Sequence, residues 1–65
     1  MQGLITKYYK KHGRDSYGFI QAYDGESYYF NSKTLLSEVR EGLEVSFRGK
    51  RNDKGFIAYD VKAVD

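Results

Sequence analysis

The sequence predicts an all-β fold: five short strands closed into a small antiparallel β-barrel. Helical periodicity is weak along most of the chain, and short alternating runs broken by Gly, Asp and Asn take its place. Two Gly-bearing segments, Asp24-Gly25-Glu26 and Asn52-Asp53-Lys54-Gly55, read as hairpin turns, because Gly accepts the positive φ that tight hairpins require. With only 65 residues, the chain is read as one domain over residues 1–65, and closing the sheet removes its exposed edges.

Each element follows from local pattern. The first strand runs from Gly3 to Lys10 with Ile5 in the core. Tyr8 and Tyr9 are adjacent, so at least one of them faces outward. The polar loop Lys11-His12-Gly13-Arg14-Asp15 leads to a second strand, Ser16 to Tyr23. Side chains alternate between faces along a strand. Gly18 and Ile20 share one face, and a chain with few aliphatic residues must bury Ile20. Tyr17 and Phe19 then point outward. In the third strand, Ser27 to Ser32, Tyr28 and Phe30 share one face. Tyr29 and Asn31 share the other, and this mixed pair suits solvent better.

Ser32 to Glu41 is the one segment with room for a helical turn, and it links the two halves of the sheet. The fourth strand, Leu43 to Arg48, alternates cleanly: Leu43, Val45 and Phe47 go inward. The fifth, Phe56 to Val64, leaves its core parity open. Ile57, Tyr59 and Val61 have one parity, Phe56, Ala58 and Asp60 the other, and a bulge would switch between them.

Composition narrows the function. There is no Cys, hence no disulfide and no thiolate ligand. The first residues lack the basic, apolar and small-residue zones of a secretory signal. No stretch nears the ~20 apolar residues of a membrane span. The expectation is a soluble, cytoplasmic protein without membrane attachment. Catalysis is not expected: acid–base chemistry needs positioned groups in a shielded pocket, and a small barrel is filled by its own side chains. His12 is the only His, and a metal site needs further ligands. No catalytic residue, metal or cofactor is therefore assigned.

The aromatic load is more informative than the net charge of +2, with seven Tyr and four Phe in so small a chain. An outward patch of Tyr17, Phe19 and Tyr29, with Tyr8 or Tyr9, is unfavourable in water unless it meets a partner. Nucleobases fit, since stacking on an aromatic ring is worth about 1–3 kcal/mol per base. Lys7, Lys10, Lys11, His12 and Arg14 lie on the first strand and the loop after it. Lys33 follows the third strand, and Arg48, Lys50, Arg51 and Lys54 flank the last hairpin, beside Phe56. Such cations contact phosphates and make binding salt-dependent. Asn31 either joins this site or satisfies backbone groups at a strand end.

The expected partner is single-stranded RNA or DNA. The rival reading is a protein-interaction module, in which the same rings bind a peptide or a second copy of the chain. Small barrels with a long central connection can exchange strands, so the expected state is a monomer or a strand-exchanged homodimer.

The chain also resembles the cold-shock domain family. Gly3-Leu4-Ile5-Thr6-Lys7-Tyr8-Tyr9 resembles the family's opening strand. Asp15-Ser16-Tyr17-Gly18-Phe19-Ile20 resembles its first ribonucleoprotein-type motif, Lys-Gly-Phe-Gly-Phe-Ile. Tyr28-Tyr29-Phe30-Asn31-Ser32 stands in place of the second, Val-Phe-Val-His-Phe. Glu41 to Phe47 and Lys54 to Val61 resemble the last two strands. The resemblance spans nearly the whole chain and implies a five-stranded OB-type barrel that binds single strands by stacking. It implies that Tyr17, Phe19 and Tyr29 are stacking residues and that Asn31 takes the place of the second motif's His. Lys7, Tyr8 and Tyr9 all remain open for the family's first-strand Trp. Asp15 and Ser16 replace the motif's Lys and first Gly, and an acid there weakens phosphate attraction.

Overall fold

The structure, a computed structural model, describes residues 1–10 and 16–64. It contains β1 (Gln2–Tyr9), β2 (Tyr17–Ala22), β3 (Ser27–Asn31), a short 3-10 turn (Ser32–Thr34), β4 (Glu44–Asn52) and β5 (Gly55–Ala63). The strands close into a barrel in the order β1-β2-β3-β5-β4, an OB-type all-β architecture. β1 to β3 form an antiparallel meander, and β4 pairs antiparallel with both β5 and β1. The seam between β3 and β5 is parallel, with Tyr29 opposite Ile57. Among the described residues, no helix is long and apolar enough to cross a membrane.

The core consists of Ile5, Ile20, Ala22, Tyr28, Phe30, Val45, Phe47, Ala58 and Val61. Ile20 and Phe30 are 0% exposed, so the inward faces expected for β2 and β3 are the observed ones. Leu43 stands just before β4 and packs on the core half-buried. Gly18 is required by close approach: a Cβ there would lie 2.7 Å from the Phe30 ring. The turn after β2 places Gly25 at φ 96°, and Asp24 Oδ1 accepts the Glu26 N–H at 2.9 Å.

Two irregularities set which side chains face out. In β1 the register shifts between Ile5 and Lys7, leaving Thr6 as the extra residue. Side-chain parity reverses there. Lys7 pairs with outward Phe19, Tyr8 with inward Gly18, and Tyr9 with outward Tyr17. In β5, Ser46 pairs with Lys62 and Arg48 with Tyr59, so Phe47 faces both Asp60 and Val61. Asp60 adopts φ 54°, the left-handed conformation of the first residue of a G1-type bulge. The open parity of the fifth strand is resolved by this switch: Ala58 and Val61 are both buried.

β4 continues to Asn52, beyond the expected Arg48, and the connection after β3 makes only the short 3-10 turn. Leu35 then bridges Val61 in parallel, and the Leu36 N–H donates to the Val61 carbonyl at 2.7 Å. Gly42 N–H donates to the Ile5 carbonyl at 2.8 Å, and Ile5 N–H to the Leu43 carbonyl at 3.0 Å. The connection thus folds back against β1.

Candidate nucleic-acid interface

The outer face of β1, β2 and β3 gathers four rings. Tyr9 and Tyr17 are cross-strand partners with centroids 5.1 Å apart. Tyr17 and Tyr29 are 6.2 Å apart. Phe19 and Tyr29 are direct partners, 5.8 Å apart in an edge arrangement. Alternation alone places Tyr17, Phe19 and Tyr29 outward, and the Thr6 bulge brings Tyr9 to join them. All are partly solvent-exposed, with Tyr9 at 44%.

Beyond Phe19 and Tyr29 the face deepens into a cleft of about 390 Å³ lined by Phe19, Tyr29, Lys54, Phe56 and Ile57. The β4–β5 hairpin holds its far wall. Asn52 Oδ1 accepts the Lys54 N–H at 2.8 Å, which fixes the turn. The Phe56 ring packs on Tyr28 at 5.4 Å, and the Arg51 guanidinium lies 5.8 Å from the Phe56 centroid. Phe56 is half-buried and also lines the cleft. Lys7, opposite Phe19, and Lys54 supply positive charge on two sides of the rings.

Other expected residues sit differently. Tyr8 turns to the opposite face and packs on Phe30 at 5.9 Å. There it lines a separate groove with Lys10 and Glu38, and Glu41 Oε2 accepts its N–H at 3.0 Å. Asn31 serves the backbone: its Oδ1 accepts the Lys33 N–H at 2.9 Å, and it caps the 3-10 turn with Thr34. This is the strand-end role, one of the two readings of Asn31. Lys33 is exposed just after it. Lys11, His12 and Arg14 lie outside the described residues.

Sequence reasoning missed Ile57 as a cleft residue, because nothing in the local pattern marks the parallel seam that sets it beside Tyr29. It also missed Tyr59 as an outward ring, whose orientation depends on the bulge at Asp60. Among the described residues, no three His, Cys, Asp or Glu side chains are grouped to hold a metal ion.

No protein-family model matches the chain, and no curated protein sequence matches it significantly.

Proposed function

We propose that this protein binds single-stranded nucleic acid by stacking bases on Tyr9, Tyr17, Phe19 and Tyr29. The observation that carries the reading is the clustering of these four rings on one outer sheet face, running into a cleft that holds Phe56 and Lys54. Rings on a solvated sheet face favour a partner with flat apolar surfaces. Lys7 and Lys54 favour one that is also an anion. A single strand offers bases and phosphates at regular intervals, whereas a duplex hides its base faces. The cold-shock resemblance of the strand-two and strand-three motifs supports the same ligand. It extends the proposal to a cytoplasmic RNA chaperone, since sequence-tolerant stacking keeps strands unpaired.

The test is titration with homopolymeric single-stranded DNA and RNA at two salt concentrations, read by intrinsic tyrosine fluorescence. Binding with quenching that weakens as salt rises is expected. Unaltered fluorescence at low salt with both polymers would overturn the proposal and leave the rings to a protein partner.

A further inference from the structure

The parallel seam carries the outer aromatic face past β3. Tyr29 registers with Ile57, and Ile57 lines the same cleft as Phe19 and Tyr29, so the outward parity of β3 continues on β5. Two residues along β5, Tyr59 has that parity and is 37% exposed. The step from Ile57 to Tyr59 is roughly 7 Å along the strand. Cations stand beside this ring on the neighbouring strand. Arg48 is the direct partner of Tyr59, and Lys50 is the partner of Ile57. The Lys50 ammonium sits 5.7 Å from the Tyr59 centroid. Arg48 is engaged with the Asp60 carboxylate at 3.6 Å, whereas Lys50 is the cation placed over the ring.

We propose that Tyr59 with Lys50 forms an outlying stacking and phosphate subsite, so that a bound single strand crosses the β3–β5 seam and continues onto the β4–β5 face. This rests on the nucleic-acid reading above and extends its footprint. The occupant is a polyanion with apolar faces, matching one exposed ring and one exposed ammonium on a path continuous with the main site. A peptide would need acidic side chains at the same spacing to do as well.

The subsite predicts a length dependence. Oligothymidylates of about 5 and about 10 nucleotides bracket the lower part of the range covered by one OB barrel. The wild-type chain should bind the longer strand more tightly than added statistical positions require. Tyr59→Ala should weaken the longer strand by about tenfold and the shorter by less than about twofold. Tyr59→Phe, which retains the ring, should keep the gain with length. Lys50→Gln should lower the salt dependence of the longer strand by about one phosphate contact. Loss of affinity for both lengths alike in Tyr59→Ala, or no loss for either, would overturn the subsite. Failure of the wild-type chain to bind either strand would instead remove the underlying nucleic-acid proposal.

Discussion

At the residue scale, neighbours in β2 divide between two tasks. Phe19 points out to the cleft and Ile20 into the core, where it is 0% exposed. Phe19→Ala should reduce affinity for single strands by about 1–3 kcal/mol with the fold retained. Ile20→Ala should lower stability by about 2–5 kcal/mol through the cavity it leaves. Urea unfolding and oligonucleotide titration of both variants separate the effects, and an unfolded Phe19→Ala would contradict the face assignment. Asn31 offers a second contrast, because its side chain caps the turn that follows β3. Asn31→Ala should cost about 1 kcal/mol of stability, as for a lost helix cap. Its effect on binding should be small once the folded fraction is matched. A large binding loss in fully folded Asn31→Ala would return this residue to the site.

At the element scale, the sequence revealed alternation and concealed its interruptions. Gly18 and Ile20, alternating with Tyr17 and Phe19, are enough to orient β2, and Val45 with Phe47 to orient the start of β4. Thr6 gives no local sign that it is an extra residue, because a bulge is fixed by the partner strand. Only the pairing of Tyr8 with Gly18 and of Tyr9 with Tyr17 distinguishes the two neighbouring rings. The end of β4, Arg48 to Asn52, is polar with a Gly and has little strand propensity of its own. It is held by pairing with Gly55 to Tyr59 across the tight turn. The bulge in β5 is testable. Asp60 lies at φ 54°, which an Asp tolerates and a β-branched residue does not. Asp60→Val should destabilise by about 1–3 kcal/mol, while Asp60→Gly should unfold at no lower urea concentration than wild type. The Arg48 ion pair is solvent-exposed and is worth about 0–1 kcal/mol at most. Arg48→Ala serves as the control for its loss. Equal destabilisation in Arg48→Ala and Asp60→Val would mean that the ion pair, and not the backbone, is what Asp60 supplies.

At the scale of the whole molecule, a chain of 65 residues buries only roughly 60% of its unfolded surface and has little stability in reserve. One buried phenol ties the meander to the hairpin that closes the barrel. Tyr28 of β3 packs against Phe47 at 5.1 Å and Phe56 at 5.4 Å, and its hydroxyl reaches Asp24 Oδ2 at 3.4 Å. Burial, together with the negative charges of Asp24 and Glu26 and the hydrogen bond to Asp24, raises the Tyr28 pKa above the ordinary 10.0. Tyr23 is raised as well, chiefly by the hydrogen bond its hydroxyl donates to Glu44, but on the exposed surface. The folded chain therefore holds the Tyr28 proton when the unfolded chain begins to release it. As pH rises past 10.0, the unfolded state binds fewer protons than the native state, and stability falls. Below that pH both states keep the proton and this contribution is fully present. Comparing wild type with Tyr28→Phe isolates it from every other titrating group. The phenylalanine variant lacks the hydroxyl and cannot ionise, so the difference in unfolding free energy between the two should shift in its favour between about pH 8 and pH 11. Urea unfolding followed by far-ultraviolet circular dichroism at each pH gives that difference directly. A gap that stays constant across the range would show that Tyr28 ionises alike in both states, and that the closure of the barrel does not depend on keeping its phenol neutral.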